Sequence, residues 1–178
     1  MGRSYNMLIA GFGGQGVLFS GKVTAYAGLI DGKEVSWFPS YGPEMRGGTS
    51  NCSVCISDQP IGSPQVNTPD VLIAMNLPSF TKFIDAAAPS SVVVVDSTTV
   101  SARSDRTDIN AFYVPASQIA LDNDLPGLAN IVLMGKMLKE TGFAKKESVV
   151  EAIKKSVPAK RADMVEKNIK ALEIGLGL

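Results

Sequence analysis

Three stretches of the chain carry residue types whose spacing could do chemistry. Gly11, Gly13 and Gly16, with Gly14 and Gln15 between them, spell G-x-G-x-x-G directly after the apolar run Met7–Ala10 and ahead of Val17–Ile30. Glycines in that context permit a tight turn, and the N–H groups opening the next helix would face an anion. A dinucleotide site also needs a carboxylate at the end of the second strand to hold ribose hydroxyls. That strand ends Phe38-Pro39-Ser40-Tyr41, with Glu34 before it and Glu44 beyond, which counts against NAD. The open readings are another anionic ligand, a partner chain, or a turn with no ligand. Gly16 to Lys22 has P-loop spacing, but Val23 stands where the magnesium-binding Ser or Thr belongs, which disfavours a nucleoside triphosphate.

The second stretch is Tyr41-Gly42-Pro43-Glu44-Met45-Arg46-Gly47-Gly48. Its glycines and proline mark a loop. Arg46 either pairs with Glu44 as a brace or offers its planar fork to a carboxylate, a phosphate or an acidic partner residue. The third stretch is Cys52-x-x-Cys55. Positions three apart on a strand point to opposite faces, so two small buried residues is the better reading than a redox pair.

Composition narrows these options. The chain has no His, which excludes a Ser-His-Asp site or a His-ligated metal within it. Two Cys fall short of the four ligands of a structural zinc or an iron–sulfur cluster. No catalytic residue and no metal ligand is therefore assigned. Lys+Arg and Asp+Glu both number 17, with no basic run, so nucleic acid is not an expected partner. Apolar runs are too short to span a membrane, and the N-terminus lacks a secretory signal, giving a cytoplasmic expectation. Charged residues are only 19% of the chain, low for a small monomer and consistent with a subunit that buries surface. The isolated chain is expected to self-associate as a homodimer.

The elements that would position these residues alternate. Strands are expected at Met7–Ala10, Val35–Phe38, Thr49–Ser57, Val71–Met75, Val92–Asp96 and Phe112–Pro115. Helices are expected at Val17–Ile30, Ser79–Ala88, Ala129–Thr141, Lys146–Ser156 and Ala162–Leu176, with loops at Asn67–Asp70 and Leu121–Gly127. This is an α/β protein: one Rossmann-like domain over residues 1–178, with a mostly parallel sheet flanked by helices. The connection before Thr49–Ser57 is too short for a parallel crossover, so the sheet is expected to be mixed.

Five segments in order, GFGGQGV (11–17), SYGPEMRGGTSNCSV (40–54), IGSP (61–64), PDVLIAMNLPSFTKF (69–83) and NIVLMG (130–135), resemble the gamma subunit of 2-oxoacid:ferredoxin oxidoreductases. YGPEMRGGT resembles the 2-oxoglutarate and branched-chain types more than the pyruvate type. The resemblance implies oxidative decarboxylation of a 2-oxoacid, 2-oxoglutarate favoured, with coenzyme A to acyl-CoA, carbon dioxide and reduced ferredoxin. It places thiamine diphosphate, magnesium and iron–sulfur clusters on partner alpha, beta and ferredoxin-like delta subunits. Carried onto this chain, Gly11, Gly13, Gly14, Gln15 and Gly16 would meet coenzyme A phosphates, and Tyr41–Gly48 would face the alpha/beta core. The alternative is a non-catalytic, homo-oligomeric nucleotide- or acyl-CoA-binding module.

Overall fold

The computed structural model describes residues 4–40 and 49–178. The elements run β1 (Ser4–Phe12), α1 (Val17–Ile30), β2 (Glu34–Ser40), β3 (Thr49–Ser57), β4 (Val71–Ala74), α2 (Leu77–Phe83), β5 (Val92–Asp96), β6 (Asn110–Val114), α3 (Ala116–Asp122), α4 (Ala129–Thr141), α5 (Lys146–Ser156) and α6 (Met164–Gly177). Short 3-10 turns follow α2 at Ile84–Ala86 and precede α6 at Ala159–Arg161.

The strands form one sheet in the order β2-β3-β1-β4-β5-β6. β1, β4, β5 and β6 are parallel neighbours, while β3 runs antiparallel to both β1 and β2. The expected mixed, mostly parallel sheet is therefore present, and among the described residues β3 is its one reversed strand. The alternating side chains of the strands build two cores. Met7, Ile9, Cys52, Val54, Ile56, Ile73 and Val94 face the layer that contains α1, α4, α5 and α6. Leu8, Leu72, Ala74, Val93 and Val95 face the thinner layer with Phe80 and Ile84. The parallel strands β4 and β5 are buried almost throughout, as their unbroken apolar sequence requires.

Several boundaries differ from the sequence-based expectation: β1 and β2 are longer at both ends, β6 lies at Asn110–Val114 rather than Phe112–Pro115, α6 at Met164–Gly177 rather than Ala162–Leu176, and α3 was not expected. The helix expected at Ser79–Ala88 begins at Leu77, because Asn76 Oδ1 accepts the Ser79 N–H at 2.8 Å and Pro78 fits the first turn. It loosens into the 3-10 turn before Ala88. Residues 121 and 122, expected in a loop, close α3 instead. That helix is too short to show a period, and its anchor is tertiary: Asp96 Oδ1 accepts the Ser117 N–H from across the sheet end.

Among the described residues, no helix is long and apolar enough to cross a membrane.

Candidate functional site

A cavity of about 280 Å³ opens at the carboxyl ends of β1, β4 and β5. This is the end of an open α/β sheet at which ligands bind, beside the point where the chain passes from one side of β1 to the other. One wall is the glycine-rich turn. Gly11 still lies in β1, opposite Ser50, and the turn itself runs from Gly13 to Gly16. Gly13 and Gly14 are exposed, and Gly14 lines the cavity. Gly16 is the residue before α1, left-handed at φ 76°, and a Cβ there would collide with the Asn130 carboxamide. A side chain at this position would meet both backbone strain and a packing clash.

Gln15 holds the turn in shape. Its Oε1 accepts the Phe12 N–H at 2.6 Å and the Asn76 Nδ2 at 3.2 Å, and its Nε2 donates to the Met75 carbonyl at 3.0 Å. The carboxamide thus ties the ends of β1 and β4 together, and its polar atoms are already engaged by the chain.

The second wall is the start of α4. Asn130 Nδ2 donates to the Gly16 carbonyl at 3.2 Å and to Ser20 Oγ at 3.0 Å, which draws the beginnings of α1 and α4 side by side. Neither helix is closed by a side-chain cap. First-turn N–H groups have no intrahelical partner, and the helix dipole leaves positive charge there. Two such ends at one cavity make it suited to an anion.

The third wall is Asp96, nearly fully buried where β5 ends. Its Oδ1 accepts the Thr98 and Ser117 N–H groups, and its Oδ2 accepts Ser117 Oγ at 2.5 Å. Three donors thus hold its carboxyl group in place at the end of β5. Asp96, Ser117 and Asn130 were not singled out from sequence. Their signals are thin: an acid closing an apolar run, and an Asn opening a helix.

Tyr41, Gly42, Pro43, Glu44, Met45, Arg46, Gly47 and Gly48 lie outside the described residues. Their anchors are informative. Ser40 ends β2, and Thr49 opens β3 opposite Phe12, beside the glycine-rich turn. Three exposed apolar side chains occupy the same end of the molecule: Phe12 closing β1, Leu77 opening α2, and Leu121 on the cavity wall.

Residues 6–178 match the pyruvate ferredoxin/flavodoxin oxidoreductase family. The chain belongs to that family. Within the family it is 45% identical over 169 residues to the ketoisovalerate oxidoreductase subunit VorA of Methanothermobacter thermautotrophicus, covering 94% of this chain and 35% of that protein. It therefore spans about a third of the VorA chain. It is 38% identical over 170 residues to the 2-oxoglutarate synthase subunit KorC of Methanocaldococcus jannaschii, covering 94% of this chain and 89% of that one. A solved gamma subunit of a keto/oxoacid ferredoxin oxidoreductase from Geobacter sulfurreducens PCA superposes with a TM-score of 0.84 at 31% identity, over 97% of this chain and 96% of that one. The resemblance read from the five segments and the α/β fold are both borne out.

The described residues of this family member offer no group of three or more His, Cys, Asp or Glu placed to hold a metal. Cys52 and Cys55 do not fit a cluster. Cys52 packs into the α1 layer, its Sγ directed at the Val17 carbonyl, and burial pushes its thiol up to about 12 against a small opposing pull from Trp37. Cys55 Sγ is directed at the Ser63 carbonyl; burial first, then the Asp70 charge, raises its thiol as well. Neither is poised as a thiolate.

Proposed function

We propose that this chain is the gamma-type subunit of a 2-oxoacid:ferredoxin oxidoreductase complex. The complex converts a 2-oxoacid and coenzyme A to an acyl-CoA and carbon dioxide, and the released electrons pass to ferredoxin. The observation that carries this reading is the superposition of 97% of this chain on 96% of a solved gamma subunit of the family. The named relatives support an oxoacid of the 2-oxoglutarate or branched-chain type. Thiamine diphosphate with magnesium, and the iron–sulfur clusters of a ferredoxin-like subunit, supply decarboxylation and electron transfer from the partner chains.

This chain's own part is binding and positioning. The starts of α1 and α4 receive phosphate oxygens of coenzyme A, with Gly14 and Gly16 letting the backbone approach and Gln15 fixing the turn. Phe12, Leu77 and Leu121, together with the Arg46 segment, form the face toward the alpha and beta subunits. Binding there would cover apolar side chains that are otherwise exposed.

The test is anaerobic co-purification of the tagged chain, followed by coenzyme A-dependent viologen reduction with 2-oxoglutarate, 2-oxoisovalerate and pyruvate in turn. The expected result is co-eluting alpha and beta chains with activity on one of the first two acids. Arg46→Ala is expected to lower assembly or turnover at least tenfold, the scale of a lost desolvated charge contact. A lone chain without activity, from a host whose other ferredoxin oxidoreductases remain active, would overturn the reading in favour of a non-catalytic acyl-CoA- or nucleotide-binding module.

A further inference from the structure

The sheet ends in β2 on one side and in β6 on the other, and the two edges differ. β2 carries Glu34 and Pro39 along its length, two devices that discourage a further strand. β6 is Asn110-Ala111-Phe112-Tyr113-Val114, with no charge, no proline and no glycine. Its hydrogen bonds fix which way its backbone points. The Asn110 N–H donates to the Ser91 carbonyl at 2.8 Å, and the Val114 carbonyl accepts the Ser97 N–H at 2.8 Å, so both residues face β5. Direction alternates along a strand. Phe112 therefore faces β5 as well, while the N–H and C=O groups of Ala111 and Tyr113 point away from the sheet. Among the described residues nothing pairs with them.

A cavity of about 450 Å³ lies along this edge, lined by four successive residues of β6, Ala111–Val114, and by Arg103 and Lys136. Side chains of a strand alternate, so the cavity has a wall on each face of the sheet. On one face the Arg103 guanidinium lies 4.2 Å from the Tyr113 ring, which itself meets Phe80 edge-on. Arg103 is exposed, and among the described residues it has no carboxylate in ion-pair range. On the other face Lys136 Nζ lies 4.5 Å from the Phe112 ring, but its protons are engaged: it donates to Glu140 Oε1 at 2.7 Å and to the Leu178 carbonyl at 3.2 Å. One wall thus offers an unpaired positive charge and the other an apolar surface of Phe112 and Leu178. No acid lines the cavity.

We propose that the free edge of β6 receives an extended acidic segment of a partner protein as a seventh strand. The outward groups of Ala111 and Tyr113 supply main-chain donors and acceptors that set the segment's register. Successive side chains of an added strand point to opposite faces, so a carboxylate on one residue meets Arg103 while its apolar neighbour covers Phe112 and Leu178. Charge decides the occupant. A second copy pairing β6 antiparallel to itself about Phe112 would match Ala111 with Tyr113 on each side. It would also bring Arg103 against Arg103 on one face and Lys136 against Lys136 on the other, with no acid on either wall. A basic segment would meet the same positive charge. A small anion would pair with Arg103 and leave the apolar wall and the edge groups unused. The site shares no lining residue with the cleft beside the glycine-rich turn, so its test stands apart from the coenzyme A reading.

The experiment titrates the full chain, at low salt, with capped peptides of about six residues, an ordinary strand length. One alternates Val and Glu, one alternates Val and Lys, and one is the Val–Glu peptide with every amide N-methylated. Binding is followed by amide exchange at single residues. The expected result is that the Val–Glu peptide at saturation slows exchange at Ala111 and Tyr113 by about tenfold or more, and leaves Phe112, already bonded to β5, within about twofold. The Val–Lys peptide binds about fivefold more weakly or worse, and the N-methylated one, which lacks donors, about tenfold more weakly or worse. Arg103→Glu reverses the order of the first two peptides. Because Arg103 is exposed, that variant melts within about 2 °C of the parent. A merely structural Arg103 would move the melting point and leave the peptide order alone. Slowed exchange at Ala111 and Tyr113 that grows with chain concentration and needs no peptide would overturn the proposal in favour of a second copy. Equal binding of the Glu and Lys peptides, an order that Arg103→Glu leaves intact, full binding of the N-methylated peptide, or unslowed exchange with every peptide would overturn it too.

Discussion

Where Gly135 of α4 faces Gly175 of α6, the two backbones touch. A Cβ on Gly135 would run into the Leu172 carbonyl oxygen, and one on Gly175 into the Val132 carbonyl oxygen. Nearer the starts of the same two helices, Asn130 and Asn168 border a cavity and keep two buried oxygens without donors. One helix pair thus closes tightly at one place and stands open at another. The closed contact serves stability, because dispersion at such range is lost by any enlargement. The open one works against stability, because a buried oxygen without a donor is desolvated at a cost.

The largest expected effect tests the closed end. Gly175→Ala cannot be absorbed by a flexible side chain, since the obstruction is backbone. It is expected to cost about 3 kcal/mol, seen as a melting point roughly 6–12 °C lower in a domain of this size. A drop under about 2 °C would mean that the helices part easily and that the contrast is overstated.

Next comes the brace beside the open end. Gln15→Ala removes one acceptor and one donor from three bonded groups, Phe12 N–H, Asn76 Nδ2 and the Met75 carbonyl. A loss of about 2 kcal/mol in urea unfolding is expected, together with faster amide exchange at Phe12. Unchanged exchange there would remove Gln15 as the element that keeps the turn in shape.

The smallest effect concerns a polar group that does have partners. Asp70 lies before β4, at the opposite end of the sheet from the cleft. Its Oδ1 accepts the Asn6 N–H at 2.8 Å, and its Oδ2 accepts Asn6 Nδ2 at 3.4 Å. Burial is the larger influence and raises its carboxyl above the ordinary 3.8, with the Asn6 bonds pulling it part of the way back. The folded chain then holds this proton more tightly than the unfolded one. Its contribution is most favourable below the ordinary value and declines as pH rises through the raised folded value, levelling off above it. Asp70→Asn should flatten that stretch of the stability–pH curve, measured by urea melts at stepped pH. A curve of unaltered slope would show that Asn6 offsets the burial completely.

Much of this was legible in the sequence, and the reason is local. Unbroken apolar runs such as Val92–Asp96 announce strands covered on both faces, and Val149, Val150, Ile153 and Val157 recur at helical spacing along α5, where Val149 and Ile153 are buried. The reversed β3 followed from connection length alone. The glycine-rich turn was legible too, since Gly14 and Gly16 adopt the positive φ that only glycine tolerates well. What stayed hidden was built across distance. α3 is anchored by Asp96 from another strand. Asn130 acts through Gly16, 114 residues away in sequence. Asn168 reads as an ordinary polar residue of an amphipathic helix until the cavity beside it is seen.

The reversed β3 carries one further consequence. Because β2 and β3 are adjacent and antiparallel, the segment between Ser40 and Thr49 links two strand ends already locked by seven residue pairs from Glu34–Ser57 to Ser40–Asn51. Its length and composition can change at little cost to the sheet, since closure entropy grows slowly and the register is set elsewhere. The sheet thus places little demand of its own on the stretch that holds Arg46, so what that stretch contributes is read in assembly and turnover rather than in the stability of the fold.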